Sequence, residues 1–416
     1  MKERYLKILL VNGAAYPQIG GVENSLRYIG KELLKQGHEV KIWCFQTKPE
    51  FPLITIFENI EIIRMPIPSI KWPHKRNWMK VNATKNGIIP FLNDFKPDVI
   101  WSRSVFLGLG IALSGYECPL FQIYCTNALM EARGSFLNTK GLPLKRRIMM
   151  FLLFFLDYFS FHAIEKKLLK YSHPIFFSKN MSNQMRSLYK ERIINEKIVY
   201  PGVNTDFFNN KTGNELKVEI FKKYSIDDSR KKVLYVGRLA LNKNIFLLID
   251  SIKLLKTKVE LILVGEGKER ERIKAYAKKK DVYENVRFVG LQDKLLPGFY
   301  SSADVTVLPT TIESFGQVYL ESLACGTPVI GFKGDGKKII TATNEIIKDG
   351  LTGRLVEKVS ASDLAKAMES IFSLEENDYK AMSENAIRDV SERFTWKKFV
   401  KEMLFLSKSE LSNYGL

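Results

Sequence analysis

Short, almost wholly apolar runs alternate with helix-length amphipathic stretches along this chain of 416 residues. That alternation constrains the fold more than any other feature, because it is the unit of a parallel sheet covered by helices. The run 6–12 is followed by a glycine-containing loop, a helical spacing over 23–36, the punctuation Gly37-His38 and a second run at 39–45. Further runs at 97–101, 120–125 and 174–178 are near-continuously apolar, as strands buried on both faces are. A polar stretch then breaks the pattern over 201–230, with Pro201-Gly202, Asn209-Asn210, Gly213 and Asp227-Asp228. After it the alternation restarts. Strands are predicted at 232–236, 259–264, 286–289, 304–308 and 327–331, and helices at 243–256, 267–280, 294–302 and near 317–325. The reading is two successive doubly wound α/β domains, 1–203 and 204–392, and a helical segment 393–416 whose length suits a return to the first domain.

Composition removes other classes. The chain is 45% apolar and 26% charged, which excludes a disordered or collagen-like protein. Cys44, Cys118, Cys125 and Cys325 lie far apart with no C-x-x-C pair, which argues against a zinc knuckle or redox dithiol and fits a reducing, cytoplasmic compartment. The start, MKERYLKILLV, reads as a first buried strand and not as a secretory signal, since its apolar run is very short and Asn12-Gly13 follows at once.

The most specific motif is Glu313-Ser314-Phe315-Gly316-Gln317-Val318-Tyr319-Leu320-Glu321. It follows the strand 304–308, so Glu313 falls beyond the carboxyl end of a parallel strand, where open α/β sheets bind ligands. Glu321 falls about one turn into the next helix, and Gly316 lets backbone N–H groups at that helix start approach a phosphate. The loop after 232–236 carries Gly237, Arg238 and Lys243; a guanidinium fork and an ammonium there suit a diphosphate. Val264-Gly265-Glu266-Gly267 resembles half of a dinucleotide fingerprint, with Arg270 in place of the third glycine. Gly20-Gly21-Val22-Glu23 stands between the first strand and the first helix, and its glycines permit close approach to phosphate or sugar.

Taken together these motifs resemble glycosyltransferase family 4. Gly20-Gly21-Val22-Glu23, Gly37-His38-Glu39-Val40, Tyr200-Pro201-Gly202-Val203-Asn204 with Asp206, Val236-Gly237-Arg238 with Lys243, Leu263 through Gly267, Ala303-Asp304-Val305, Glu313 through Glu321 and Ala324 through Ile330 follow in the family's order. The resemblance implies the GT-B fold, two Rossmann-like domains facing each other across a cleft. It implies a retaining glycosyltransferase whose co-substrate is a nucleotide-diphosphate sugar, with no other cofactor. Arg238 and Lys243 would then neutralise the donor diphosphate and Glu313 would hydrogen-bond the donor sugar. Ser314, Phe315 and Gly316 would offer backbone N–H groups, Glu321 would hold the ribose hydroxyls, and Gly20, Gly21, Gly237 and Gly265 would complete the donor site.

The chain also departs from the family. Where a histidine is common, at the end of the strand 120–125, the sequence reads Gln122-Ile123-Tyr124-Cys125-Thr126-Asn127, and a second often His-rich site reads Ser102-Arg103-Ser104. Arg103, Cys125 and Asn127 are therefore the candidates for contacts to a glycan or lipid-linked acceptor, Arg103 suiting an anionic one. The missing histidine leaves open a nucleotide-sugar-binding protein without transfer activity. No D-x-D pair occurs, which agrees with cations of the chain, and not a metal, handling the diphosphate.

Charge points to a further partner. Residues 1–200 hold 29 Lys+Arg against 15 Asp+Glu, a net of +14 out of +19. They also hold an apolar run at 148–161 between Lys145-Arg146-Arg147 and Lys166-Lys167. The run is shorter than the ~20 residues of a membrane span, so it reads either as a buried helix or as an interfacial segment for the anionic cytoplasmic face of a membrane. Lys71, Lys75, Arg76 and Lys80, interleaved with Trp72 and Trp78, offer a second basic-aromatic contact. A nucleic-acid partner is not expected: the diagnostic cations sit singly on strand-end loops and no nucleic-acid motif occurs.

Overall fold

The computed structural model describes residues 5–17, 21–67, 73–128, 130, 144–189 and 196–413. The chain divides into two compact units, Met1–Pro201 with Trp396–Leu416, and Gly202–Thr395. The units part at 201/202 and 395/396, against limits of 203/204 and 392/393 read from the sequence.

In the first unit β1 (Lys7–Asn12) leads through α1 (Gly21–Lys35) to β2 (Glu39–Gln46), and β3 (Ile54–Phe57) and β4 (Ile60–Pro66) form a hairpin. Then come α2 (Pro73–Gly87), α3 (Ile89–Phe95), β5 (Val99–Ser102), α4 (Val105–Ala112) and β6 (Leu120–Tyr124). α5 (Leu144–Leu168), β7 (His173–Phe176), α6 (Lys179–Tyr189) and β8 (Lys197–Ile198) follow. The sheet order is β3-β4-β2-β1-β5-β6-β7-β8, and β3 runs antiparallel to β4 while the other pairs are parallel. β1 lies between β2 and β5, with Ile8 opposite both Val40 and Val99, and Ile8–Asn12 are all buried. Such double-sided burial is why the strand reads as one apolar run.

The hairpin was not expected from the sequence. Its turn uses Glu58 and Asn59, both in the left-handed region (φ 50° and 64°), where glycine or asparagine is usual. Glu58 is held there by Arg27 and Lys31 of α1, with N···O distances of 2.6 and 2.7 Å.

The second unit contains α7 (Asn210–Tyr224), β9 (Lys231–Val236), α8 (Ile245–Lys253), β10 (Val259–Val264), α9 (Arg270–Lys279), β11 (Val286–Gly290) and α10 (Leu296–Ser302). β12 (Val305–Leu308), α11 (Gln317–Ala324), β13 (Val329–Phe332), α12 (Thr343–Ile346), β14 (Gly353–Val356), α13 (Ala361–Phe372) and α14 (Glu376–Arg393) complete it. All six strands are parallel, in the order β11-β10-β9-β12-β13-β14. The order reverses between β9 and β12, which makes that gap the topological switch point. Asp304 sets the start of β9: it pairs with the Lys231 ammonium at 2.9 Å and accepts from the Lys232 N–H at 2.7 Å. Asn209 caps α7 and Ser360 caps α13, each accepting from a backbone N–H three residues on.

α15 (Trp396–Asn413) belongs to the first unit. The Trp101 indole N–H donates to Ser407 at 3.0 Å. Phe399 is fully buried, edge-on to Phe177 with ring centroids 6.0 Å apart. Phe399→Ala should therefore cost about 3–5 kcal/mol, the usual price of emptying a buried aromatic site. Thermal and denaturant unfolding measure it, and a loss under about 1 kcal/mol would show that α15 contributes little to the first unit.

Candidate active site

Parallel strands release the loops that follow them at one edge, so the second unit gathers four such loops around β9 and β12. The loop after β9 turns at Gly237 (φ 148°), passes Arg238 and makes a 3-10 turn over Leu241–Lys243 before α8. The loop after β12 carries Glu313 and ends at Gly316 (φ 98°), the residue that starts α11. These two loops are tied together. Lys243 Nζ lies 2.5 Å from Glu313 Oε2, both side chains mostly buried. The Asn244 side-chain amide donates to the Pro309 carbonyl at 2.9 Å, and Glu313 N–H donates to the Ile340 carbonyl at 3.0 Å. The ion pair thus bridges the switch point, and backbone bonds fix the loop on which Glu313 stands.

Arg238 is exposed and makes no ion pair with a described residue; its carbonyl accepts from the Tyr235 hydroxyl at 2.9 Å. With Lys243 already against Glu313, this guanidinium leaves the loop pair net positive, as an anion site requires. Phe315 is buried 6.0 Å from Phe394, so it anchors the loop while the neighbouring Ser314 remains partly exposed.

Glycine is required where β9 and β10 end. A Cβ at Gly265 would lie 2.1 Å from the Gly237 carbonyl oxygen, and one at Gly267 2.2 Å from that of Leu239. The two loops also exchange backbone bonds, Gly237 N–H to Val264 O and Leu239 N–H to Glu266 O, both 3.0 Å. Gly265 was expected as a donor contact; the structure shows it packing the loop that carries Arg238. Gly267, not singled out as a site residue from the sequence, does the same.

Glu321 stands just beyond the first turn of α11 and accepts from the Tyr300 hydroxyl at 2.7 Å. Desolvation by its dense surroundings lifts its carboxyl to about 7, and the Tyr300 bond offsets only part of that rise. Tyr300 comes from α10, 21 residues earlier, and no spacing in the sequence announces it.

In the first unit Arg103 and Cys125 line one cavity of about 370 Å3 at the carboxyl ends of β1, β2, β5 and β6. Arg103 donates to Ser25 Oγ and lies over the Phe177 ring at 5.1 Å. Asn127 is fully buried; its amide donates to Gln184 at 3.2 Å and accepts from the Met130 N–H at 2.9 Å, so its polar atoms serve the fold. Gly20 lies outside the described residues, as do Lys71 and Trp72, and only the backbone of Gly21 and Glu23 is described, in the first turn of α1.

Comparison with known proteins agrees with this geometry. The family model for glycosyl transferases group 1 matches residues 217–389, and that for Glycosyltransferase Family 4 matches 19–207. The chain belongs to glycosyltransferase family 4. An uncharacterized glycosyltransferase of Methanocaldococcus jannaschii is 28% identical over 99% of this chain and 100% of its own length. The α-monoglucosyldiacylglycerol synthase of Streptococcus pneumoniae is 26% identical over 94% of this chain and 83% of its own. Among solved structures, a sucrose-phosphate synthase from Thermosynechococcus elongatus superposes with a TM-score of 0.77 at 20% identity, covering 98% of this chain and 100% of the other. The fold of this family 4 glycosyltransferase is GT-B, as the sequence motifs implied.

The raised Glu321 carboxyl has a pH signature in this enzyme. Below its ordinary value of 4.5 both folded and unfolded chains hold the proton. Between 4.5 and about 7 the unfolded chain sheds a proton that the fold keeps, so stability is lost as pH rises through that window and the loss is complete above it. Glu321→Gln should gain on the wild type over the same window, by on the order of 1–3 kcal/mol, in denaturant unfolding at a series of pH values. A difference that ignores pH would mean Glu321 titrates like a surface carboxylate.

Proposed function

We propose that this glycosyltransferase moves a sugar from a nucleoside-diphosphate sugar to an acceptor hydroxyl, with retention of configuration at the anomeric carbon. The observation that carries the reading is the convergence of Lys243, Glu313 and the Arg238 loop at the switch point of the second unit. Two cations and the N-terminal N–H groups of α11 suit a diphosphate, and two carboxylates suit sugar and ribose hydroxyls.

In this scheme the bond from the anomeric carbon to the departing phosphate oxygen breaks as the bond to the acceptor oxygen forms on the same face. The acceptor proton passes to a phosphate oxygen, so no side chain of the protein acts as nucleophile. Arg238 and Lys243 hold the charge that grows on the diphosphate, which makes electrostatic stabilisation the main contribution of the site. The same two residues occupy the role a divalent cation would otherwise fill, so chelators should leave turnover unchanged. The acceptor is assigned to the first-unit cavity, and the pneumococcal relative, named for a glycolipid product, supports a lipid-linked acceptor over a soluble one. The donor makes this a cytoplasmic enzyme in the proposal.

Four measurements test the reading. A screen of purified protein against a panel of nucleotide sugars should reveal slow donor hydrolysis or transfer, and NMR of the product should show the donor's anomeric configuration. An inverted product would overturn retention. Glu313→Gln should abolish transfer with the fold intact, because glutamine keeps the shape and a carbonyl oxygen that accepts from Lys243; near-normal turnover would remove Glu313 from the mechanism. Arg238→Ala should weaken donor binding and slow the reaction by at least about 10²-fold. A defect confined to acceptor affinity would contradict its assignment to the diphosphate.

A further inference from the structure

Of the apolar run 148–161 only Ser160 is buried. α5 runs on to Leu168, so residues Ile148–Leu168 form 21 residues long and apolar enough, by length and composition, to cross a membrane. That exceeds the 14-residue run counted from the sequence, because the helix continues through Ala163, Ile164 and Leu168. One face does pack on the unit. Ser160, Ile164, Glu165 and Leu168 are buried, and Asp157 accepts from Asn77 of α2 at 2.7 Å. A helix bound on one side to its own domain is placed to lie along a bilayer surface, not to thread it.

The opposite face is apolar and open. Ile148, Met149, Phe151, Leu152, Phe155, Leu156 and Phe159 are each 46–57% exposed. Their spacings of three and four residues put them in one stripe roughly 17 Å long. Soluble surfaces scatter such residues; a continuous row marks an interaction site. The rim has a single sign of charge. Lys166 is exposed at the end of the stripe, and Lys75 and Arg76 are exposed on α2, which packs beside α5. α2 contains no acidic residue. The acids of α5 are occupied: Asp157 is bonded to Asn77, and Glu165 is buried, accepting from Ala128 N–H at 3.3 Å and from the Tyr189 hydroxyl at 2.5 Å.

We propose that this face of α5, with the basic rim on α2, docks the first unit on an anionic bilayer. An apolar stripe rimmed by cations fits acyl chains beneath phosphate headgroups. A second copy fits less well, since a symmetric contact would set one basic rim against another. Phe161, on the face of α5 turned away from the stripe, lines the cavity of Arg103 and Cys125, edge-on to Phe106 with centroids 5.2 Å apart, so docking would leave that cavity about one helix width from the lipid surface. The bilayer contact itself does not depend on the proposed transfer reaction.

The test is sedimentation of the full chain with extruded vesicles of phosphatidylcholine alone or with about a third phosphatidylglycerol. Binding should require the anionic lipid and weaken as salt rises. Changing Leu152→Ser, Phe155→Ser and Phe159→Ser together should lower vesicle affinity at least about tenfold, with circular dichroism and melting temperature retained since all three are exposed. Lys75→Glu with Arg76→Glu should reduce the anionic-lipid preference. Absent binding, equal binding to neutral vesicles, or an apolar triple variant that binds like wild type would overturn the proposal. So would a wild-type dimer, seen by light scattering, that the triple variant dissolves. Donor hydrolysis without vesicles should be the same in the triple variant and the wild type. Its failure in the wild type would count against the proposed function and leave the docking result standing.

Discussion

Parallel strand pairing is the constraint from which the rest of this structure follows. Each strand that pairs in parallel must be reached by a crossover, so the loops that follow the strands emerge at one edge of the sheet. In the second unit that edge receives Gly237 to Lys243, Gly265 to Gly267 and Pro309 to Gly316 from separate stretches of chain. Residues 70 apart in sequence, Lys243 and Glu313, come within 2.5 Å for this reason. Neither local propensity nor hydrogen bonding inside either loop would bring them together.

Convergence has an energetic cost. A partly buried ion pair recovers in attraction roughly what its two ions lose in desolvation, so Lys243–Glu313 adds little net stability while making each partner costly to remove alone. Glu321 is a clearer case. The hydrogen bond its carboxylate accepts from Tyr300 does not offset the burial that raises the carboxyl to about 7. A glutamine of the same shape would be neutral there. The chain thus places an ionisable group where an uncharged one would fold better.

Much of this was legible in the sequence because burial on both faces leaves a period-free apolar run. β1, β2, β9, β10 and β12 all stand within a residue or two of the runs that announced them. The β3–β4 hairpin was not legible: its turn puts Glu58 in the left-handed region, where Arg27 and Lys31, 31 and 27 positions upstream, hold its carboxylate. The Glu313 and Arg238 loops were placed by the rule that ligands meet strand ends, but Tyr300, Asn244 and the packing demand at Gly267 were not. Those depend on which loops touch, a property of strand order. Asn127 misled for the opposite reason. Its position beyond a strand end matched a ligand contact, yet its amide turns inward to Gln184 and Met130.

Strand order also makes the two units comparable, and the comparison separates their tasks. Each has a switch point, between β9 and β12 in one and between β1 and β5 in the other. The second unit furnishes its own with Lys243, Glu313, Arg238 and a helix N-terminus, groups that answer phosphate and hydroxyls. The first lines its cavity with Phe45, Val105, Phe106, Ile123 and Phe161. Lys80 there stands 5.5 and 5.0 Å from the Phe45 and Phe106 ring centroids, and burial lowers its ammonium below the ordinary lysine value. Arg103 adds a second cation. One topology thus supplies two crevices that differ in lining: ionic and polar groups in the second unit, aromatic rings with Lys80 and Arg103 in the first.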